Sequence, residues 1–261
     1  MKNYKNWKLV ERFANTEDYK GNTIISLEET DLLIKNLKDF SVDDKVYLYR
    51  GIDLPEPFYI IDPKKDRREY VVGTMPTLIM EYQESWKEFP SRMSSLFITN
   101  GGEESPTTYG KCYRVIPFDD AKFGVSSNNN YKTSFKNLKK IGYDANNFFY
   151  ELAELYYYIS GSIFTIPETK EEKSNYVTKE NYELLMMQID ELLLMNKSDN
   201  KILNDFNNAD ALIDYYFNAK NNGFEIMNYK EIQEILEPRE IWTDSKCLLI
   251  DNDIYNKIYK I

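Results

Sequence analysis

The sequence predicts an α+β fold, with strand-forming segments toward both ends of the chain and a helical block between them. Three observations predict it. Short apolar or alternating runs, at 46–52, 58–61, 94–99, 112–117 and 122–125, fill much of the first half. From 133 to about 222 apolar residues recur at helical spacing instead. From 224 onward the strand patterning returns. Neither strand group carries enough apolar surface to be stable alone, so the two are expected to share one core. The expected organisation is 1–132 as the first part of the core, 133–223 as a helical insertion, and 224–261 as the closing part of the core.

The elements follow in order. Trp7, Leu9, Val10 and Phe13 suggest a short helix or ordered arm within 3–20. Ser26-Leu-Glu-Glu29 is a capping-box pattern, and Leu27, Leu33, Ile34, Leu37 and Phe40 trace the stripe of the helix that it starts. Segments 46–52, 58–61 and 70–72 read as strands. Pro76, placed in a first helical turn, opens a helix over 77–89 that Pro90 ends. The strand 94–99 is broken by Asn100-Gly101-Gly102. In the helical block, Phe148, Leu152, Leu155, Tyr156 and Ile159 form one stripe, and Tyr182, Leu185, Met186, Ile189 and Leu192 a second. Ala211, Leu212, Tyr215 and Tyr216 form a third, and a polar connector, 168–175, separates the first two. The Met-rich stripe at 185–195 reads as core packing rather than as a cofactor box. A helix over 229–236 precedes a hairpin formed by 240–242 and 247–250.

Composition excludes several function classes. A net charge of −10 argues against bulk nucleic-acid binding, which needs a basic footprint. The basic run 64–68 reads as a solvated loop. No apolar run approaches the twenty or so residues of a membrane span, and the N-terminus lacks the apolar centre of a signal peptide, so a cytoplasmic location (a host cytoplasm included) is expected. With no histidine, imidazole-based triads, general bases and zinc sites are unavailable. Cys112 and Cys247 are too few for a thiolate metal site and read as free thiols of a reducing compartment. No metal is expected. Catalysis must rest on carboxylates, Arg, Lys, Tyr, Ser or Thr.

Three segments could carry such chemistry. Arg50 follows Val46-Tyr-Leu-Tyr and precedes Gly51; a guanidinium on a strand is costly to bury unless paired, and it can fork onto a phosphate. A salt bridge or an edge-strand charge is the plainer reading. Ser95, Thr99 and Asn100 lie on or beside the strand 94–99, where hydroxyl groups can orient a carboxylate or bind a ribose; ordinary turn chemistry at Asn-Gly is the alternative. Glu240 opens Glu-Ile-Trp, where two large apolar neighbours can desolvate and orient it. Glu234 is its rival, although helical spacing assigns Glu231 and Glu234 to an exposed helix face.

Taken in order, these segments resemble the arginine, serine-threonine-serine and glutamate motifs of the mono-ADP-ribosyltransferases. Tyr49-Arg50-Gly51 matches the family's first-strand arginine, Ile98-Thr99-Asn100 stands at its serine-threonine-serine strand, and Glu240-Ile241-Trp242 followed by Cys247–Ile250 fits its glutamate segment. Only Thr99 of the second motif is identical. The resemblance implies a split mixed β-sheet core of ADP-ribosyltransferase type, with NAD as co-substrate. Arg50, helped by Arg92, would hold the pyrophosphate. Ser95, Thr99 or Asn100 would orient the ribose or the carboxylate. Glu240, with Glu234 as fallback, would be the catalytic carboxylate. Where arginine-modifying members carry Glu or Gln, two positions before the catalytic glutamate, this chain has Pro238, so an arginine acceptor is not implied. The runs around 86–95 and 240–245 are also similar to phage-type proteins.

The expected function is therefore mono-ADP-ribosyl transfer from NAD to a macromolecular acceptor, in the first place a protein. An NAD glycohydrolase toxin with water as acceptor is the first alternative. A non-enzymatic, protein-interacting or virion-associated role, with Arg50 and Glu240 structural, is the second.

Overall fold

The computed structural model describes residues 22–65, 74–102, 106–162, 176–195, 200, 202, 203 and 205–259. The arm expected within 3–20, the strand at 70–72, the connector 168–175 and part of the basic run 64–68 lie outside these residues. The described residues form two compact units. One is drawn from residues up to 67, from 94–125 and from 226 onward; the other is drawn from 68–93 and 126–225. The helical unit thus takes in the segment before the strand at 94–99 as well as the block after residue 125.

The first unit is built on a nine-stranded sheet. Its strands are β1 (Thr23–Ile24), β2 (Tyr49–Ile52), β3 (Phe58–Ile61), β4 (Leu96–Thr99), β5 (Lys111–Pro117), β6 (Phe123–Val125), β7 (Glu225–Met227), β8 (Glu240–Thr243) and β9 (Cys247–Asp251). Their order is β1-β3-β9-β5-β2-β4-β8-β6-β7. The fold is α+β, as expected, but the sheet is not mixed: every pair whose register is defined is antiparallel.

A second correction concerns the expected hairpin. Strands β8 and β9 do form, but they do not pair; β5, β2 and β4 lie between them. The reason lies in their side chains. Cys247–Ile250 are all buried, so both faces of β9 need cover, and it is placed inside the sheet between β3 and β5. Four strand spacings of about 4.8 Å would separate Thr243 from Cys247 by roughly 19 Å in a flat sheet, whereas four residue steps reach about 14 Å. The sheet is therefore curled.

One joint within the sheet is narrow. Strand β2 pairs with β5 through four residues but with β4 through the single pair Tyr49↔Thr99. This narrow joint sets off two halves of the one sheet, whose inner faces share one core. Leu48, Ile52, Tyr113, Val115 and Leu249 come from one half, and Leu96, Ile98, Phe123, Val125 and Ile241 from the other. A close approach in the second half requires glycine: a Cβ on Gly124 would lie 2.2 Å from Cε2 of Trp242, whose ring covers β6. On the outer face of the first half, α1 (Leu27–Asn36) and α8 (Asn252–Tyr259) pack Leu33 and Tyr255 against Phe58, Ile60, Leu248 and Ile250. Helix α1 begins as expected: Glu29 N donates to Ser26 Oγ and Ser26 N donates to the Glu29 carboxylate.

The helical unit contains α2 (Met75–Tyr82), α3 (Lys136–Lys140), α4 (Ala145–Ser160), α5 (Lys179–Met195) and α6 (Ala209–Phe217). Its core is aromatic: Trp86, Phe135, Phe148, Phe217 and Phe224 meet with ring centroids 4.8–6.4 Å apart, and Trp86 Nε1 donates to Phe217 O at 2.8 Å. The helix expected over 77–89 stops at Tyr82. Gln83 is extended (φ −75°, ψ 139°), and its side chain accepts from Ser85 N to start a separate 3₁₀ turn over 84–86. In the first unit, α7 (Tyr229–Ile232) is likewise shorter than the expected 229–236, because the chain turns at Gln233, whose side chain bonds both N and O of Val46.

Candidate active site

The two halves of the sheet meet along a row of side chains. Tyr49 on β2 pairs with Thr99 on β4, and Thr99 pairs with Glu240 on β8. Directly opposed residues of an antiparallel pair project from the same face. Ile98 and Ile241 belong to the inner core, so Thr99 and Glu240 project from the outer face. Glu240 is half-buried, whereas Glu234, beyond the end of α7, is exposed. Of the two glutamates, Glu240 is thus the one held on a strand beside a hydroxyl group.

The approach to Glu240 is fixed by Asn100. Its Nδ2 donates to Ile235 O (3.1 Å) and Glu237 O (3.0 Å), and its Oδ1 accepts from Arg239 N (2.7 Å). The side-chain amide is committed to this clasp, which pins the 235–239 loop onto the end of β4. Thr99 Oγ1 accepts from Gly101 N at 3.0 Å, and its O–H remains a donor. The turn is tight: a Cβ on Gly101 would lie 3.1 Å from Thr99 Oγ1 and 3.2 Å from Pro238 Cβ.

The other sequence-predicted residues are placed differently. Arg50 alternates with Leu48 and Ile52, which belong to the inner core, so the pleat sets it on the face opposite Thr99 and Glu240. Its Nη1 donates to Phe97 O at 3.1 Å, next to the place where β2 and β4 part. Ser95 is buried just before β4, four residues and about 13 Å of strand from Thr99. Arg92 belongs to the helical unit. There its guanidinium lies 3.9 Å from the centroid of the Tyr131 ring. Beside it, Glu81 accepts from Ser91 Oγ (2.8 Å) and Met93 N (3.0 Å), and burial pushes its carboxyl above the ordinary range despite these bonds.

The arginine that shares the row with Thr99 and Glu240 is Arg114, opposite Tyr49 on β5. Sequence reasoning missed it, although it interrupts the apolar run 112–117 just as Arg50 interrupts its own. Arg114 is 2% exposed. Its guanidinium lies 3.8 Å from the Tyr47 ring centroid and 4.2 Å from that of Tyr255, and Nη2 donates to Asn252 and Asn256 (3.2 Å each) and to Tyr49 OH (3.5 Å). Burial holds the Tyr255 hydroxyl well above its ordinary range, at about 12.

Among the described residues no cluster of His, Cys, Asp or Glu is placed to hold a metal ion, and no helix is long and apolar enough to cross a membrane. No protein-family model matches the chain, and no curated protein or solved structure is similar to it.

Proposed function

We propose that the protein is an NAD-dependent mono-ADP-ribosyltransferase acting on a macromolecular acceptor, in the first place a protein, with Glu240 as the catalytic carboxylate. The observation that carries this reading is the direct pairing of Glu240 with Thr99 at the joint between the two halves of the sheet. Nicotinamide is a cationic leaving group, and its departure develops oxocarbenium character at the ribose. A fixed carboxylate beside that carbon stabilises the developing charge, with neither imidazole nor metal. The Thr99 hydroxyl donates to the carboxylate or the ribose, and the Asn100 clasp holds the segment bearing Glu240 in register.

Arg50 remains the phosphate ligand of this proposal. Its side chain lies on the face opposite Glu240, beside the β2–β4 joint, so gripping the pyrophosphate of the same NAD means giving up the Phe97 carbonyl and turning through that joint. A charge-assisted fork is the stronger bond. The same Arg50–Phe97 bond favours a second reading, a non-enzymatic interaction protein in which Arg50 braces the joint. Incubation with radiolabelled NAD separates the readings. Label on a protein supports the transferase, and nicotinamide release without labelled protein supports a glycohydrolase. Neither turnover nor NAD binding leaves the structural reading.

A further inference from the structure

Helix α4 buries Phe148, Phe149, Leu152 and Tyr156 on one side. Its other side carries Tyr150, Glu154, Tyr157 and Tyr158, at i, i+4, i+7 and i+8, which is a single helical stripe. The three tyrosines are 58%, 60% and 90% exposed, and no Lys or Arg occurs in the helix. Such a stripe is unusual for a surface helix, whose outward face ordinarily mixes charges of both signs.

Helix α5 repeats the pattern. Leu185, Ile189 and Leu192 are buried, while Glu183, Met187, Glu191 and Leu194 face outward; Met187 is 59% and Leu194 82% exposed. Its lone cation, Lys179, pairs with Glu183 at the surface, a contact worth little in water. The two helices are adjacent: Tyr156 OH, on the buried side of α4, donates to Glu191 Oε2 on α5 at 2.6 Å.

We propose that the outward stripes of these two adjacent helices together form a docking surface for a Lys/Arg-rich amphipathic segment of a partner protein. Charge complementarity selects that occupant. Exposed tyrosine rings accept cations over their faces and bury large area at low entropic cost, carboxylates between them take the same cations edge-on, and Met187 and Leu194 receive the partner's apolar side chains. Nucleic acid and anionic lipid are repelled by the carboxylates, and so is a second copy presenting the same face. The proposal is independent of the chemistry assigned to Glu240.

The test uses the full chain and a fluorescein-labelled Lys/Leu amphipathic helical peptide of about 18 residues, with a Glu/Leu peptide of equal length as control. Fluorescence anisotropy is expected to show saturable binding of the basic peptide, weakened about tenfold or more between about 50 and 500 mM salt. The double variant Glu154→Lys/Glu183→Lys should lose at least about tenfold in affinity for the basic peptide and gain affinity for the acidic one. Tyr157→Ser/Tyr158→Ser should lose about tenfold without altering the melting curve, because both side chains are exposed. Three results would overturn the proposal. They are absence of saturable binding to the wild-type chain, equal binding of the basic peptide by the charge-reversed variant, and self-association in sedimentation velocity that these same substitutions abolish.

Discussion

Glu240 faces Thr99 across the β4–β8 ladder, and Tyr49 faces Thr99 from the other side, through the single residue pair that joins the two halves of the sheet. A carboxylate and a hydroxyl group are thus held side by side at the joint between the two halves of the sheet.

The Asn100 clasp is predicted to be a stability determinant and a positioning device together. Asn100→Ala removes three hydrogen bonds to the 235–239 loop and should cost roughly 2–4 kcal/mol in urea denaturation. Asn100→Asp keeps the acceptor for Arg239 N but sets a charge against two carbonyl oxygens, and it should cost more than the alanine variant.

Arg114 is predicted to matter through its volume more than its charge. Among the described residues its bonds run to amide and phenol oxygens and not to a carboxylate. Removing it therefore strands no buried counter-charge. Arg114→Met, which fills the space between Tyr47 and Tyr255, should cost less than about 2 kcal/mol. Arg114→Ala leaves a cavity and should cost about 3–5 kcal/mol. Equal losses would assign the stabilisation to the bonds with Asn252 and Asn256 instead.

Glu81 gives the helical unit a pH dependence of definite sign. Burial raises its carboxyl pKa in the folded state, so between the unfolded and folded pKa values the folded chain binds the extra proton. That contribution is complete below the unfolded value and is lost as pH rises through the folded one. The stability advantage of wild type over Glu81→Gln should therefore shrink as pH rises above the ordinary carboxylate range, in paired urea titrations. An advantage that grows with pH would mean that the bonds from Ser91 and Met93 outweigh burial.

What was legible in the sequence was local. The Ser26–Glu29 capping box, the helices α4, α5 and α6 and the positions of most strands depend on neighbouring residues, and they appear where the spacing put them. However, Ile159 of the expected α4 stripe and Ala211 and Tyr215 of the expected α6 stripe are exposed, and α6 buries Ile213 and Phe217 instead. Strand order was not legible. The segments 240–242 and 247–250 have the look of a hairpin, and only the demand of Cys247–Ile250 for cover on both faces separates them. Gln83, an ordinary helix former, ends α2 because its side chain turns forward to cap the next turn. At the candidate site, the nearness of Thr99 to Glu240 followed the motif order. The face on which Arg50 lies depends on register at a joint of one residue pair, and Arg114 went unread because nothing local distinguishes it from a strand charge.

The most direct test of the account is nicotinamide release from NAD by purified wild-type protein and by Glu240→Gln, with NAD affinity and thermal stability measured on both. The account predicts turnover by the wild type, loss of at least about a hundredfold in the variant, and unchanged melting and nearly unchanged NAD binding. Turnover that survives in Glu240→Gln and is lost instead in Glu234→Gln would contradict it, as would a wild-type protein that neither binds nor cleaves NAD.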